Sequence, residues 1–189
     1  LARLLAQENG KALSEARADI VEGLHTAQYW FGRARTPMGE NLASEIARGR
    51  PASTVIAAQS EEVASRVQRI LMSDLLRIYT NTDVTGVELA GALKNIVALG
   101  AGICDGLEYG DNAKAAFLTR GLGEITRLGV AAGAHPLTFA GLAGLGDLVA
   151  TCSSHLSRNN SVGRQLAEGR TWPEIRGTMD NVAEGVNTT

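Results

Sequence analysis

The spacing of apolar and polar positions divides the chain into a short segment with β character and a much longer helical one. The runs STVIAAQ and LLRIYTNT, between residues 51 and 82, are rich in β-branched residues and predict two short strands. The run SEEVASRVQRILM between them predicts an amphipathic helix with Ser60 as its N-cap. Residues 1 to about 35 also carry apolar positions at helical spacing. After Asp83 the strand patterns end, and helices separated by glycine are predicted as far as Gly169. One of them is predicted from about Asn112 through Ile125, with GDN supplying the turn and the N-cap.

The longest predicted helix, VTGVELAGALKNIVALGAGICDGL, is apolar on nearly every side and is therefore expected in the core. Lys94 is unusual in this environment. A buried lysine has its pKa lowered by desolvation, which makes it a usable base near neutral pH. A partly exposed lysine that packs only its methylene groups explains the same pattern equally well. The sequence pattern alone leaves both alternatives open.

Two further polar groups occur in apolar or glycine-rich surroundings. Asp147 in GLAGLGDL could orient a lysine or bind a hydroxyl group, although its position is explained more simply by the capping of a helix. Ser157, Arg158 and Asn159 precede the helical run VGRQLAEG and are expected at a helix N-terminus. Free N–H groups and the positive end of the helix dipole favour a phosphate there, and an arginine adds a charged fork. An ordinary N-cap would not require Arg158.

Composition narrows the function classes. The 18 Lys and Arg against 20 Asp and Glu leave a net charge of −2, which favours neither nucleic acid nor an anionic membrane as a partner. The two cysteines lack a metal-ligand spacing and indicate a reducing cytoplasm, and no metal site is predicted. No apolar run approaches the about 20 residues that a membrane span requires. No Gly-x-Gly-x-x-Gly after a strand and no P-loop is found.

The two long runs VTGVELAGALKNIVALGAGICDGLEYGDNAKAAFLTRGLGEITRLG and GLAGLGDLVATCSSHLSRNNSVGRQLAEG resemble glycerol-3-phosphate dehydrogenases. The resemblance extends from about Asn41 to Thr189. It implies that Lys94 is the catalytic residue, which exchanges a proton with the C2 oxygen of the substrate. It also implies that Asp147, Ser157, Arg158 and Asn159 contact glycerol 3-phosphate, with Arg158 near the coenzyme as well.

The same resemblance assigns residues near the two ends of the matching region. Gly39, Asn41 and Ala43 correspond to a loop between the coenzyme and substrate domains, although Glu40 replaces the proline that the family has there. Gly39 and Asn41 are assigned to the substrate and Ala43 to the coenzyme. Val182 and Glu184, in NVAEG, correspond to a strip that contacts the coenzyme.

Upstream of residue 39 this resemblance ends, and residues 1–38 weakly resemble a helical, ENGK-containing part of an aldehyde dehydrogenase, without its nucleophilic cysteine or acidic base. We therefore expect three parts, which are a helical segment of foreign or uncertain origin over 1–38, the end of a Rossmann-type coenzyme domain over 39–82, and a helical substrate domain over 83–189. The expected fold is mainly α with a small α/β remnant.

The implied function is a cytoplasmic oxidoreductase that interconverts sn-glycerol 3-phosphate and dihydroxyacetone phosphate with NAD or NADP. Because the chain carries no dinucleotide fingerprint, we expect weak or no activity from it in isolation. A homodimer is a further expectation. Two alternatives remain open, which are a non-catalytic helical binding or oligomerisation module and an aldehyde dehydrogenase fragment.

Overall fold

The computed structural model describes residues 49–154, 157–179, 183 and 185–186. The predicted strand, helix, strand unit is confirmed, with β1 over Ala52–Ala57, α1 over Glu61–Leu71 and β2 over Leu76–Asn81. The Ser60 hydroxyl accepts a hydrogen bond from the Val63 N–H (3.4 Å), so the predicted N-cap is also confirmed. The two strands pair in parallel, as a helical crossover allows. The helix predicted over residues 1–35 lies outside the described residues.

The remainder is helical, and the prediction of a mainly α fold is confirmed. A second prediction, of a helix from about Asn112 with GDN supplying the N-cap, is wrong in detail. The helix begins at Gly110, and no side chain caps it. The helical elements are α2 (Val84–Gly106), α3 (Gly110–Ala131), α4 (Pro136–Ala140), a π-helical segment (Leu142–Gly146), α5 (Asp147–Ser153), α6 (Arg158–Ala167) and α7 (Trp172–Gly177).

Helix α2 is the centre of the helical body and packs against α3, α5 and α6. Its contact with α6 is made by backbone atoms. A Cβ on Gly102 would lie 2.1 Å from the carbonyl oxygen of Asn160, and one on Gly163 would lie 2.0 Å from that of Leu99. Only glycine fits at such distances. The core around α2 is mostly aliphatic and includes Ala90, Val97, Ala98, Ala101, Ile125, Ala134, Phe139, Leu148 and Cys152.

By length and composition, α2 could cross a membrane, so the expectation that no apolar run is long enough is wrong for this segment. A core helix of a soluble protein has the same composition, and such a helix alone is weak evidence for a span. In the fold, α2 is enclosed by three other helices and carries the buried Lys94. We therefore describe α2 as the core helix.

Asp83 joins the sheet to the helical body. It is the N-cap of α2, where its Oδ1 accepts from the Gly86 N–H (2.9 Å). Its Oδ2 accepts from the His135 N–H (2.8 Å) and from the Thr138 hydroxyl (2.7 Å), both at the start of α4. Burial raises the pKa of Asp83, but these hydrogen bonds outweigh it, and the pKa lies below its usual value. The carboxylate therefore fixes the end of β2 against α4.

Candidate active site

The buried polar residues of the described chain are concentrated at the junction of α2, α5 and α6. Burial of polar groups is unfavourable unless they are paired, and such clusters mark functional sites more often than ordinary core. One of the eight, Thr138, lies elsewhere, on α4. The other seven are Lys94, Asn95, Asp147, Thr151, Ser157, Asn159 and Asn160.

Lys94 and Asp147 form a buried ion pair, in which Nζ contacts Oδ2 and the side chains are 1% and 5% exposed. A partly exposed lysine, one of the two alternatives, is therefore wrong. Asp147 is the first residue of α5 and faces Lys94 instead of capping the helix. Thr151, one turn further along α5, donates its hydroxyl to Oδ1 of Asp147 (3.3 Å).

The π-helical segment aims Asp147 at Lys94. A wider π turn changes the direction in which the following residues project, and such turns occur frequently at functional sites. Its Gly144 lies against the backbone of α4, since an added Cβ would come within 2.1 Å of the carbonyl oxygen of Phe139. Strand β1 also packs on this segment. The position of Asp147 thus depends on both α4 and the sheet.

Burial dominates the electrostatics of Lys94 and lowers its pKa from 10.5 to about 6. The carboxylate of Asp147 acts in the opposite direction, because a negative charge in contact stabilises the ammonium form. Burial also raises the pKa of the neighbouring Cys152 thiol to about 12, so this group is neutral. The amine and ammonium forms of Lys94 are therefore closer in free energy than in an exposed lysine.

The start of α6 forms the second half of the site. Ser157 is the N-cap, and its hydroxyl accepts from the Asn160 N–H (3.3 Å). Arg158 is the first residue of the helix and is half-buried. The amide of Asn159 donates to Oδ1 of Asn95 (3.1 Å), and its Oδ1 accepts from the Gly185 N–H (2.9 Å). The predicted cluster therefore lies at a helix N-terminus.

Asn95 connects the two halves, because it follows Lys94 on α2 and holds Asn159 on α6. A group able to take up or release a proton therefore lies beside a helix start that carries an arginine. The ammonium has three N–H donors. Within the described chain, none of them makes a hydrogen bond of ordinary geometry, and Asp147 is the ionic partner of Nζ. This arrangement suits an oxygen-bearing anionic ligand.

The structure thus places five of the predicted site residues in two groups that Asn95 links, which are Lys94 with Asp147, and Ser157, Arg158 and Asn159 at the start of α6. Five others lie outside the described residues, and their assignment stays a prediction: Gly39, Asn41, Ala43, Val182 and Glu184.

Sequence reasoning missed Asn95 and Thr151. Each was detectable as a polar residue in an apolar helix, Asn95 beside Lys94 and Thr151 one helical turn after Asp147. As for metals, no group of three His, Cys, Asp or Glu residues that could bind an ion occurs among the residues with described positions.

Comparison with known proteins places this geometry in a family. A sequence model of the NAD-dependent glycerol-3-phosphate dehydrogenase C-terminus matches residues 83–189. A glycerol-3-phosphate dehydrogenase [NAD(P)+] of Dehalococcoides mccartyi is 60% identical over 151 residues, which are 80% of this chain and 42% of that protein. The crystal structure of glycerol-3-phosphate dehydrogenase from Coxiella burnetii superposes with a TM-score of 0.75 at 40% identity, covering 81% of this chain and 46% of that one.

A second relative bears on residues 1–38. Glycerol-3-phosphate dehydrogenase [NAD(P)+] 2 of Salinibacter ruber is 49% identical over all 189 residues, which are 54% of its length. The comparisons therefore give no support to the aldehyde dehydrogenase resemblance. The chain spans about half the length of the curated relatives that it matches. The family model over residues 83–189, the relative that matches the whole chain and the superposed structure all lead to the same conclusion. The chain belongs to the NAD-dependent glycerol-3-phosphate dehydrogenase family.

Proposed function

We propose that this chain provides the substrate domain, and the end of the coenzyme domain, of an enzyme that interconverts sn-glycerol 3-phosphate and dihydroxyacetone phosphate with NAD or NADP. One observation carries the proposal. The buried Lys94–Asp147 pair lies beside a helix start that bears Ser157, Arg158 and Asn159. Conversion of this substrate requires a proton transfer at its C2 oxygen and a site that binds its phosphate group.

Lys94 performs the proton transfer. In the oxidation of the alcohol, the C2 hydroxyl gives its proton to the amine of Lys94 while C2 loses a hydride. In the reverse direction the ammonium of Lys94 returns the proton to the developing alkoxide. Burial lowers the pKa of Lys94 to about 6, which supports a role as base, and Asp147 stabilises the ammonium formed. Thr151 holds Asp147 in place.

The start of α6 binds the phosphate. Arg158 supplies a guanidinium fork, and the backbone N–H groups of the first turn lie at the positive end of the helix dipole. Asn159 is held through Asn95, next to Lys94, so the phosphate and the C2 oxygen are bound by adjacent parts of one cluster. This link between the two groups supports a small phosphate ester as the ligand.

The coenzyme, when bound, supplies the hydride acceptor or donor. Arg158 would contact it, together with Ala43, Val182 and Glu184, which lie outside the described residues. Arg158 is half-buried at a helix N-terminus, which fits a phosphate of the coenzyme as well as that of the substrate. Because the sequence carries no dinucleotide fingerprint, the isolated chain is expected to turn over slowly or not at all. A homodimer and a cytoplasmic location stay predictions.

Binding of sn-glycerol 3-phosphate to the 189-residue chain tests the phosphate part, by isothermal titration calorimetry or by NMR where binding is weak. Arg158→Ala should weaken binding at least about tenfold, which corresponds to loss of a charge-assisted hydrogen bond. The matched control is Arg120→Ala, because this arginine is 84% exposed on α3 and should leave binding unchanged. Equal affinities for parent and Arg158→Ala would contradict the assignment.

The catalytic part requires a complete enzyme. With a coenzyme domain of the family placed ahead of Asn41, Lys94→Ala should lower kcat by about 10²–10⁴-fold, the usual contribution of a general acid or base. Retention of kcat in this variant would remove Lys94 from the mechanism. A substantial glycerol-3-phosphate-dependent rate of NAD(P)H formation by the 189-residue chain alone would refute the expected low activity.

A further inference from the structure

A second polar network adjoins the proposed site and surrounds Asp105 in the last turns of α2. Its Oδ2 accepts from Nζ of Lys114 on α3 (2.7 Å) and from Nδ2 of Asn160 on α6 (3.0 Å). The same Nδ2 donates to the carbonyl oxygen of Cys152, near the end of α5 (3.2 Å). One carboxylate and one amide therefore connect the four helices that surround the site.

Asn160 places this network at the first turn of α6. It directly follows Arg158 and Asn159, and it is 2% exposed. Its backbone lies against α2, since a Cβ on Gly102 would come within 2.1 Å of its carbonyl oxygen. Both N–H groups of its side-chain amide are used, one by Asp105 and one by Cys152. Its backbone N–H is used as well, by the hydroxyl of Ser157.

Loss of the Asp105 acceptor would leave a buried N–H of Asn160 without a partner. The amide would then have to rotate or move, and the first turn of α6 would move with it. Burial raises the pKa of Asp105, but hydrogen bonds from Asn160 and Lys114 outweigh this effect and keep the pKa below its usual value. The carboxylate is therefore charged at neutral pH, and its bond to the buried amide is charge-assisted.

We propose that Asp105 is a positioning residue for phosphate recognition. Through Asn160 it holds the first turn of α6 so that Ser157 and Arg158 meet the phosphate of the ligand. The proposal rests on the proposed function, which assigns the phosphate to this helix start. It adds a residue on α2 that does not touch the ligand.

The sign of the change in affinity distinguishes positioning from plain electrostatics. Asp105→Asn removes a negative charge near an anion site, so Coulomb's law alone predicts tighter phosphate binding. Positioning predicts weaker binding, because the charge-assisted bond to Asn160 and the ion pair with Lys114 are lost. A merely structural role predicts a lower melting temperature with unchanged affinity of the folded chain. The control is Asp111→Asn, an exposed acid on α3.

The experiment is a titration of the 189-residue chain and its variants with sn-glycerol 3-phosphate, well below the melting temperature. We expect Asp105→Asn to weaken binding about three- to tenfold and Asp105→Ala at least tenfold, with Asp111→Asn within twofold of the parent. The ¹⁵Nε resonance of Arg158 should shift less at saturation in both Asp105 variants. If Asp105→Ala does not fold, Asp105→Asn decides alone, since it preserves the shape of the side chain.

The outcomes separate this proposal from the proposed function. If the parent chain binds and both Asp105 variants bind as tightly or more tightly, the positioning role is overturned while the phosphate site stands. If the parent chain does not bind sn-glycerol 3-phosphate, the phosphate site and the positioning role both fail. If Asp111→Asn weakens binding as much as Asp105→Asn, the loss is not specific to the contacts of Asp105 and the positioning role is again overturned.

Discussion

Replacement of Asp147 by leucine measures how much the buried ion pair contributes to the free energy of unfolding, because Lys94 then keeps its apolar surroundings and loses its partner. The two side chains are 1% and 5% exposed. Removal of one partner from a buried pair costs about 3–5 kcal/mol. We therefore expect Asp147→Leu to lower the free energy of unfolding by about 4 kcal/mol, a large part of the total of a typical domain.

The double variant decides whether this loss comes from the pair. Lys94→Met alone should also destabilise the chain by about 3–5 kcal/mol, because it leaves Asp147 buried without a partner. With both changes no buried charge remains, and the double variant should lie within about 1 kcal/mol of the parent or above it. Urea denaturation followed by helical circular dichroism measures all four free energies of unfolding. Losses in the two single variants that simply add in the double variant would refute the ion pair.

The pH dependence of the parent's stability provides an independent check on the burial of Lys94. Burial lowers the pKa of Lys94 in the folded state to about 6, against 10.5 for the ordinary group. Between these values the unfolded chain binds more protons than the folded one. The free energy of unfolding of the parent should therefore rise with pH between about 6 and 10.5, by at most about 1.4 kcal/mol per pH unit, and Lys94 should add no slope below about pH 6. The double variant should lack this slope, and a slope that persists there would point to another group.

Three further predictions concern the stability and reactivity of single residues. Gly102→Ala should lower the free energy of unfolding by about 1–3 kcal/mol, because the added methyl group overpacks the contact with α6. The control Gly91→Ala has open space around its Cβ and should raise the free energy of unfolding by about 0.5–1 kcal/mol. Equal effects in urea denaturation would contradict the close contact with α6. Asp83→Ala should cost about 1–2 kcal/mol, because it removes the α2 cap and the link to α4, and an unchanged melting temperature would contradict that link. Burial raises the pKa of the Cys152 thiol to about 12. In the folded chain the partly exposed Cys104 should therefore react with a thiol reagent first. The reverse order would contradict the burial of Cys152.

The elements that sequence predicted well are those with a strong period or a strong local signal. The strands around α1 are β-branched, Ser60 is an N-cap residue followed by Glu61 and Glu62, and α2 is apolar on nearly every side. These signals depend on nearby residues alone. Helix α3 was predicted too short, because Gly110 looks like a turn residue and only the tertiary packing extends the helix to it.

The geometry of the site depends on contacts between residues far apart in the chain, which local signals do not encode. Lys94 was singled out from its apolar neighbours, but its partner was left with two interpretations. Asp147 in a glycine-rich run reads as a cap until the π-helical segment before it is known, and that segment depends on packing against Phe139 and β1. Similarly, Asn95 is explained only by Asn159, which lies 64 residues away.

The glycines of α2 and α6 belong to the site as much as to the fold. Asparagine has a short side chain, so the hydrogen bond between Asn95 and Asn159 (3.1 Å) requires two helices whose backbones nearly touch. Gly102 and Gly163 permit this approach, because any side chain at either position would meet backbone atoms of the other helix. A methyl group at Gly102 should therefore weaken ligand binding along with stability, whereas one at Gly91 should leave binding unchanged. Close packing of α2 and α6 is thus what brings the start of α6 to the lysine on α2.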